Sequence, residues 1–446
     1  MKVEIINTTF CKAVDDDARR KVARLLRYRH TWFTRGRYSK VRHTRLLSFM
    51  EEQSGFFLSG FLPRIRRKYP DLQIVKEPFL DILPPEFDHP SIKGITFRAD
   101  QLRAIRAATD KGRGVIKFAT ASGKTVIAAG IISCFNQQTI FLAHRTEIVT
   151  QTWERFKEYG FEVGILTGTK KKELGAKVLC ATIQSYSRAL LKGVVSSGAG
   201  VVIIDEAHHV NSNDCQYAGF LSSSIALVKI GLTGTKPNDR KGRLAMEGYI
   251  GPVIATLTIR EGIEKKILSK PKITLLPVPK LGTVSRSKKY FEIYDLAVVY
   301  NQIRNDLIMR EVKARVDLGK SCLIIVDKIK HGEKLLERGE GFAKFLQGAT
   351  AGKVREKVKK ELSDKKTLCV ITTNIWGEGI DLPSLNVIVL AFCGKAATKT
   401  VQTVGRVLRT TVDKKQVEII DFLDPYKFLA EHLVQRLTIY IKEGLL

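Results

Sequence analysis

A lysine and a threonine stand where a β-branched run gives way to a helical pattern, in GVIKFATASGKTVIAAG, residues 114–130. A loop between a strand and a helix directs backbone N–H groups and the helix N-terminus at one spot, and so favours an anion. Lys124 would reach the outer phosphates of a nucleotide such as ATP, and the Thr125 hydroxyl would hold a magnesium ion. The alternative is an ordinary turn with an exposed lysine, because Phe118 occupies the place of the first glycine in the full phosphate-loop pattern.

Two adjacent carboxylates follow a second apolar run, in VVIIDEAHH, residues 201–209. Asp205, at the end of a predicted strand, could bind Mg²⁺, and Glu206 could position and deprotonate an attacking water. The carboxyl edge of a parallel sheet is where such sheets bind ligands. A solvated turn would not explain why four apolar residues lead directly into two charges. The two motifs together therefore predict nucleotide hydrolysis.

The phosphate loop keeps the residues that a tight turn needs, although its first glycine is missing. Gly123 remains for the turn itself, and Ala119, Ala121 and Ser122 are small neighbours. Phe118 is then predicted to belong to the preceding strand and to pack in the core.

The elements that must hold these loops alternate between short β-branched runs and helical patterns. From about residue 90 to 270 the runs are VIKF, TIFLA, KVLCATI, VVIIDEA and LVKIGLT, and from about 300 to 435 they are SCLIIVD, TLCVITT, NVIVLAF and VEIIDFL. Such alternation predicts an α/β fold in which helices join parallel strands, once in each region. We predict a basic N-terminal domain at residues 1–88 and α/β domains at 89–275 and 276–446, with SKPKITLLPVPKLGTVSRSKK as the hinge.

The charge of the chain indicates its kind of partner. Lysine and arginine number 75 against 45 acidic residues, a net charge of +30 over 446 residues. This excess implies a polyanion, most simply nucleic acid. No apolar run is long enough to span a bilayer, and no basic amphipathic helix ends in a lipid anchor, so no membrane partner is expected. Seven scattered cysteines without a CxxC pair argue against disulfides and a structural zinc, and fit a reducing compartment.

The positive charge is densest near the start of the chain. Residues 19–45 contain eleven arginines and lysines and no acidic residue. Four aromatic residues are interleaved with them: Tyr28, Trp32, Phe33 and Tyr38. Arginines would grip phosphates and aromatic rings could stack on exposed bases. Alternatively, the aromatic rings form the core of a small domain whose basic face is solvated.

Further segments place the chain beside a known family. FRADQ, ATASGKT, LAHRTEIVTQ, ATIQS, DEAH and GLTGT resemble, in this order, the adenine-reading segment and motifs I, Ia, TxQS, II and III of superfamily 2 helicases of the DEAH-box-like kind, which are built on two RecA-like domains. Gly234 departs from the Ser/Thr-Ala-Thr of motif III. The resemblance implies adenine reading by Arg98 and Gln101, phosphate contacts from Ala121, Ser122 and Gly123, nucleic-acid contacts from Arg145, Thr182, Gln184 and Ser185, and coupling through His208, Thr233 and Thr235.

The later half of the chain continues the resemblance to about Phe422. ITTNIWGEGIDLP, residues 371–383, resembles motif V, and QTVGRVLR, residues 402–409, resembles motif VI. Arg406 and Arg409 are three positions apart, so they share one helix face, from which they could stabilise charge on a transferring phosphoryl group. The resemblance implies that ATP binds between the two domains. It also assigns nucleotide sensing to Gly379 and Asp381, a nucleic-acid contact to Thr373 and coupling to Gln402.

Two segments point to a subgroup. IGPVIATLTIREGIEKKILSKP and RNDLI, residues 304–308, resemble the group that holds phage UvsW-type branch-migration helicases, restriction translocases and RecG-like enzymes. With its small basic front end, the chain looks most like the UvsW-type enzymes. The resemblance implies an ATP- and Mg²⁺-dependent DNA helicase that acts on forked or junction DNA, in DNA replication, recombination and repair.

Three alternatives stay open at this point: an RNA helicase of the same fold, a translocase that moves along a duplex without separating it, and a nucleic-acid scaffold whose ATP site is inert. We expect no small-molecule substrate besides ATP. The N-terminus MKVEIINTTF lacks the apolar core of a signal peptide, so a cytoplasmic location is expected, including the host cytoplasm if the enzyme is phage-encoded.

Overall fold

A computed structural model of the protein shows an α/β architecture in which two parallel-stranded sheets follow one another along the chain, as predicted. By their contacts the residues form two compact units, residues 1–118 with 123–257 and residues 119–122 with 258–446. The structure describes residues 1–35, 40–76, 84–196, 198–237, 239–282, 289–373, 385–393 and 416–446.

The first unit begins with a small mixed sheet and a separate two-stranded ribbon. Its elements are β1 Lys2–Ile5, β2 Phe10–Ala13, α1 Asp16–Leu25, β3 Arg27–Arg35, β4 Lys40–Ser48, β5 Phe56–Leu58, α2 Leu62–Lys68 and β6 Gln73–Lys76. Strands β5-β2-β1-β6 form the sheet, and β3 pairs with β4 in the antiparallel ribbon. Helix α1 begins where the Asp15 carboxylate accepts a hydrogen bond from the Ala18 N–H at 2.7 Å, which satisfies a donor that the helix cannot pair internally.

The aromatic residues of the basic front end divide between core and surface. Tyr28 is buried and packs on Phe49, with 5.0 Å between ring centroids. Trp32 is 40% exposed and stacks between His30 and His43 on the ribbon. Tyr28 is therefore a core residue, as the alternative interpretation expected, and stacking of Trp32 on a base stays a prediction. The Phe33 side chain and Tyr38 lie outside the described residues.

An eight-stranded sheet forms the rest of the first unit. Its strands are β7 Arg113–Phe118, β8 Thr139–Ala143, β9 Val163–Leu166, β10 Lys171–Lys172, β11 Val178–Thr182, β12 Val201–Asp205, β13 Val228–Thr233 and β14 Val253–Leu257. Their order is β10-β9-β11-β8-β12-β13-β7-β14, and every pairing is parallel except that of β10. The helices are α3 Ala99–Lys111, α4 Lys124–Phe135, α5 Thr146–Glu158, α6 Ile183–Leu191, α7 Gln216–Ser223 and α8 Arg240–Tyr249. Phe118 ends β7 and is fully buried, as expected.

The second unit holds a six-stranded parallel sheet. Its strands are β15 Lys272–Pro277, β16 Cys322–Val326, β17 Ala343–Leu346, β18 Cys369–Thr373, β19 Val387–Leu390 and β20 Glu418–Leu423, in the order β15-β20-β19-β16-β18-β17. The helices are α9 Ile259–Glu264, α10 Tyr290–Tyr294, α11 Gln302–Asp317, α12 Ile329–Arg338, α13 Gly352–Ser363 and α14 Lys427–Lys442, with a π-helical segment at Asp295–Val299 after α10.

The segment expected to be a hinge contributes to this second sheet. Strand β15 lies within it and pairs with β20 along its whole length, from Lys272 opposite Glu418 to Pro277 opposite Leu423. The Thr274 hydroxyl also donates to the Glu418 carboxylate at 2.9 Å. Proline is compatible with this position because β15 is an edge strand, where a missing N–H need not interrupt a ladder.

The N-terminal sheet is held to the eight-stranded sheet by polar contacts as well as by apolar packing. The Arg64 guanidinium binds the Glu247 carboxylate through two hydrogen bonds. The Lys229 ammonium, on buried strand β13, donates to the Thr9 hydroxyl at 2.7 Å and more distantly to the Thr8 hydroxyl. Burial lowers the pKa of Lys229 well below its usual value. The N-terminal sheet is thus part of the same compact unit as the first large sheet.

All seven cysteines are free thiols, and six of them are buried. Among the described residues, no helix combines the length and apolar character needed to cross a bilayer.

His331 makes the second unit sensitive to acid. It is fully buried on α12, and its Nε2 lies 3.0 Å from the Asn305 side-chain oxygen, while its Nδ1 is buried with no hydrogen-bond partner in the described part of the chain. Burial, helped by the positive charge of Arg304, lowers the pKa of His331 to about 3. In the unfolded chain the pKa is about 6.5. Below that pH only the unfolded state takes up the proton, so the free energy of unfolding decreases as the pH falls.

We expect His331→Gln to remove part of this pH dependence, because the glutamine amide can still donate to Asn305 but cannot titrate. Between pH 7 and pH 5 the wild-type protein should lose about 2 kcal/mol more unfolding free energy than the variant. Urea denaturation of both proteins at several pH values measures the difference. Parallel pH profiles for the two proteins would contradict the assignment.

Candidate nucleotide and nucleic-acid site

The phosphate loop connects β7 to α4 and has the backbone shape of an anion-binding turn. Ala121 and Gly123 adopt left-handed conformations, with φ of 67° and 88°. The Ser122 hydroxyl donates to the Ala119 carbonyl at 2.6 Å, which closes the turn. Gly123 immediately precedes α4, and Lys124 and Thr125 form the first turn of that helix. The free N–H groups of this helix end therefore lie beside the lysine ammonium and the threonine hydroxyl.

Gly123 also lies against the side chain of Gln101. A Cβ atom at Gly123 would lie 2.5 Å from the Gln101 side-chain nitrogen, so the Gln101 amide would have to shift. Gln101 is buried, and its side-chain oxygen accepts a hydrogen bond from the Arg98 N–H at 3.1 Å. The structure therefore brings the two residues assigned to adenine reading directly against the phosphate loop. The Arg98 guanidinium binds the Asp100 carboxylate at 3.0 Å.

Asp205 and Glu206 lie at the carboxyl end of β12, next to β13 and β8. The Glu206 N–H donates to an Asp205 carboxylate oxygen at 2.9 Å. Burial, and then the neighbouring Glu206 carboxylate, raise the pKa of Asp205 to about 6, while the Lys124 ammonium acts in the opposite direction. A buried carboxylate with this excess of negative charge is a site where a divalent cation would be stabilised. Asp205 and the Thr125 hydroxyl thus fit the Mg²⁺ that the resemblance implies.

Glu206 has a backbone conformation that the local chain must stabilise. Its φ is 50° and its ψ is 48°, in the left-handed region that non-glycine residues rarely adopt. Its carboxylate lies 3.4 Å from Nδ1 of His208. The same imidazole nitrogen lies 3.1 Å from the hydroxyl of Thr233, and that hydroxyl donates to the Thr235 carbonyl at 2.7 Å. The three residues assigned to coupling in this unit therefore form one connected group with Glu206.

Two further histidines, His144 and His209, extend this group. The His209 ring lies 4.4 Å from that of His208 and 3.9 Å from that of His144, measured between centroids. His144 in turn accepts a hydrogen bond from the Arg145 side chain at 3.2 Å. The sequence analysis did not predict that these three histidines lie together, because His144 is more than sixty positions from the other two. No group of three or more potential metal ligands occurs among the described residues.

The residues assigned to nucleic-acid contact occupy the neighbouring strand ends. Arg145 follows β8, and the Gln184 side chain, just after β11, donates to the His144 carbonyl at 3.3 Å. Gln184 is exposed and Ser185 is half-buried. Thr182 is buried, and its hydroxyl caps α6 by accepting from the Ser185 N–H. Gln184 and Arg145 are therefore better placed than Thr182 for contact with a ligand.

The first sheet thus gathers its predicted residues at a single edge. Strands β11, β8, β12, β13 and β7 are successive and parallel, so their carboxyl ends form one row. Nucleic-acid candidates follow β11 and β8, nucleotide candidates follow β12 and β7, and the coupling residues Thr233 and Thr235 lie at the end of β13. In the second unit, Thr373 ends β18. The remaining assigned residues lie outside the described part of the chain: Gly379, Asp381, Gln402, Arg406 and Arg409.

Comparison with known proteins identifies the family of both regions. The family model of the type III restriction enzyme res subunit matches residues 94–238, and that of the helicase conserved C-terminal domain matches residues 304–411. The first match includes the phosphate loop and the carboxylate pair. The second begins at Arg304 and includes the two segments that resemble motifs V and VI.

Relatives that are described as helicases or translocases align with most of the chain. A helicase of the Sulfolobus islandicus filamentous virus is 25% identical over 386 residues, which are 78% of this chain and 67% of that protein. The DNA 3'-5' translocase XPB2 of Sulfurisphaera tokodaii is 24% identical, with 81% and 90% of the two chains covered. Three curated relatives from viruses and yeast are covered over only 67%, 62% and 48% of their lengths.

Solved structures share the fold. Saccharomyces cerevisiae Dbp5 bound to RNA and ADP BeF3 superposes with a TM-score of 0.57 at 18% identity, over 78% of this chain and 88% of that one. T4 UvsW aligns over 99% of this chain and 97% of its own at 16% identity, but its TM-score of 0.44 supports no closer assignment. The two family models and the helicase relatives indicate a helicase of superfamily 2, and the two parallel sheets in tandem share the RecA-like fold of the solved helicase structures.

Proposed function

We propose that the protein is an ATP-dependent DNA helicase that unwinds or branch-migrates forked and junction DNA. The proposal rests on the way in which two kinds of site residue share the carboxyl-terminal end of the first sheet. There the nucleotide candidates Lys124, Asp205 and Glu206 lie beside the nucleic-acid candidates Arg145 and Gln184. A protein that only bound nucleic acid would not need a half-buried carboxylate pair beside a phosphate loop.

The residues of this edge have separate roles in the proposed reaction. Lys124 and the first turn of α4 bind the phosphates, and Gln101 holds the loop in shape. Glu206 accepts the proton of the attacking water. His208 helps to position the Glu206 carboxylate, which lies 3.4 Å from the His208 Nδ1. Mg²⁺, held by Thr125 and Asp205, would neutralise charge on the phosphate oxygens. Arg406 and Arg409 would stabilise the charge that develops on the transferring phosphoryl group.

Coupling of nucleic-acid binding to hydrolysis would run through the three neighbouring histidines. Arg145 contacts His144, and the ring contacts continue through His209 to His208, which contacts both Glu206 and Thr233. A strand bound at Arg145 would therefore act on the position of Glu206. Gly379, Asp381, Thr373 and Gln402 are proposed to sense the nucleotide and the strand in the second unit, on the strength of the motif resemblance.

Two observations favour DNA as the substrate, and one keeps RNA as a second candidate. The relative from Sulfurisphaera tokodaii is described as a DNA translocase, and the resemblance of residues 250–271 and 304–308 is to DNA-remodelling enzymes. The structure of Dbp5 holds RNA on the same fold. Contacts to a nucleic-acid backbone carry little sequence information, so we expect recognition of branched shape instead of sequence. We also propose a cytoplasmic location, including the host cytoplasm if the enzyme is phage-encoded.

A panel of nucleic acids tests the proposal. We expect single-stranded DNA and forked DNA to stimulate ATP hydrolysis, and forks and four-way junctions to be separated when ATP is present. Opening of RNA duplexes alone would identify an RNA helicase. Displacement of a triplex strand without opening of a fork would identify a duplex translocase. Absence of turnover with every nucleic acid would leave a scaffold with an inert site, and the proposal would be wrong.

A further inference from the structure

A groove runs along the seam between the N-terminal sheet and the eight-stranded sheet, within the first unit. It consists of a cavity of about 420 Å³ and a neighbouring one of about 260 Å³, which share Arg67 and Pro252. Helix α2 forms one wall, and the amino-terminal ends of β7 and β14 form the other. We call this feature the seam groove. None of its residues belongs to the site described above.

The lining of the seam groove is strongly basic. Its larger cavity contains Arg66, Arg67, Lys111 and Arg113, against the single carboxylate of Asp110. The smaller cavity adds Arg64, Lys68 and Glu247. The one carboxylate it contributes, that of Glu247, is already bound by Arg64 through two hydrogen bonds. The groove therefore carries an excess of positive charge.

Arg113 concentrates this charge at the base of the groove. Its guanidinium donates to the Thr8 carbonyl at 2.7 Å, to the Tyr249 carbonyl at 3.0 Å and to the Ile250 carbonyl at 3.2 Å. It also donates to the Ser59 hydroxyl. All of these acceptors are neutral. Burial lowers the pKa of Arg113 to about 10, so it remains charged at neutral pH.

These hydrogen bonds explain why Arg113 stabilises the seam, but they do not neutralise it. Buried Lys229 lies close enough that the charge of Arg113 lowers its pKa further, and its own partners are hydroxyl and carbonyl groups. A purely structural role would also leave unexplained why the exposed side chains of Arg67 and Lys111 line the same cleft as Arg113. An anion in the groove would offset the charge of these three residues.

The walls of the groove indicate what else the anion must carry. Ile5, Leu62, Pro63, Leu227 and Val253 give the larger cavity an apolar surface. A single strand of nucleic acid exposes its phosphates to the arginines and its bases to this apolar surface, so it would use both features. A duplex would present only its phosphates, because its bases are stacked inside.

The seam groove is remote from the proposed nucleotide site. Arg113 begins β7 and the phosphate loop follows its last residue, Phe118, so a strand of six residues separates them, roughly 20 Å. We propose that the seam groove binds a second stretch of single-stranded nucleic acid, apart from the strand that contacts Arg145 and Gln184. This inference rests on the proposed function. It means that the protein holds two strands of a fork at once. One strand lies at the carboxyl-terminal ends of the β-strands of the first sheet, and the other lies at their amino-terminal ends.

A pair of matched double variants tests the inference. Arg67→Ala/Lys111→Ala removes two exposed charges from the groove. Lys171→Ala/Lys172→Ala removes two exposed charges from β10, the strand at the other side of the same sheet. Binding of a fork with two single-stranded arms is measured as a function of salt. We expect the groove variant to bind on the order of tenfold more weakly and to lower the slope of log affinity against log salt by about 1.4, as two phosphate contacts require.

The control variant should bind the fork as the wild-type protein does. Equal losses in both variants, or no loss in the groove variant, would overturn the inference. Photo-crosslinking of a fork that carries 4-thiothymidine in its arms gives an independent result that does not depend on either substitution. Crosslinks to residues 59–67 or 110–113 are expected, and their absence while other peptides crosslink would also overturn it.

A separate measurement tests the proposed function: the stimulation of ATP hydrolysis by a short single strand. We expect the groove variant to retain this stimulation, because the short strand needs only the contacts at the carboxyl edge. If a single strand does not stimulate ATP hydrolysis by the wild-type protein, the helicase proposal is wrong. The comparison of fork binding would still decide whether the groove binds nucleic acid.

Discussion

Glu206→Gln is expected to lower the turnover of ATP by about 10²–10⁴-fold, which is the usual contribution of a general base. Glutamine has the same shape as glutamate but cannot accept the proton of the attacking water. Lys124 and Asp205 are unchanged, so nucleotide binding should persist. A fall in turnover without loss of affinity would show that the side chain acts in the chemical step. Phosphate release at saturating ATP and titration with a fluorescent nucleotide measure the two quantities.

The chain offers a close control for this substitution. Glu173 has a left-handed backbone with φ of 51°, nearly the same as the 50° of Glu206, but it is an exposed residue near β10. Glu173→Gln therefore makes the same chemical change at a residue of similar φ, away from the site. Its turnover should equal that of the wild-type protein. Unaltered turnover in Glu206→Gln would mean that another group removes the proton.

The same substitution should also change the titration of Asp205. The Glu206 carboxylate is one of the two main causes of the raised pKa of Asp205. Without that negative charge, the pKa of Asp205 should fall towards its ordinary range, so that the carboxylate is ionised at lower pH. Binding of Mg²⁺ with the nucleotide should then persist to lower pH in the variant than in the wild-type protein.

The second large effect concerns stability. Arg304→Met is expected to reduce the free energy of unfolding of the second unit by about 3–5 kcal/mol, because it leaves a buried carboxylate without its partner. Arg304 and Asp424 are 0% and 1% exposed, and two hydrogen bonds join them, the shorter at 2.9 Å. The guanidinium also donates to the Ala391 carbonyl at 3.0 Å and lies over the Phe422 ring.

Urea denaturation, with hydrogen exchange of peptides from β19 and β20, measures this loss and assigns it to the second unit. Arg310→Met is the control, because Arg310 lies on the same helix but is 74% exposed, and an exposed ion pair contributes about 0–1 kcal/mol. Replacing Asp424 by leucine together with Arg304→Met should recover much of the lost stability, since no isolated charge then remains. A single variant as stable as the control would show that the pair does not hold this core together.

Chemistry that depends on neighbouring residues could be predicted from the sequence alone. The phosphate loop, the carboxylate pair and the strand that ends in Phe118 are each contiguous, so their residue types and order indicate their structure directly. Nine of the fourteen strands of the two large sheets were predictable for the same reason, because buried parallel strands are continuous apolar runs. The short strands β9, β10, β14 and β17 were not predicted. Strand β15 was mistaken for part of a hinge because prolines and lysines surround a short run that pairs only on one side.

Contacts between distant segments were decided by the tertiary structure. His144 reaches His209 because β8 and β12 are neighbours in the sheet, which no local pattern reveals. RNDLI shows the same limit: its resemblance pointed to a subgroup, but in the folded chain Arg304 and Asn305 hold buried partners at Asp424 and His331, which are far away in sequence. The seam groove likewise exists only because the N-terminal sheet packs on the amino ends of later strands. Local sequence specifies which groups are available, and packing of the sheets determines which of them meet.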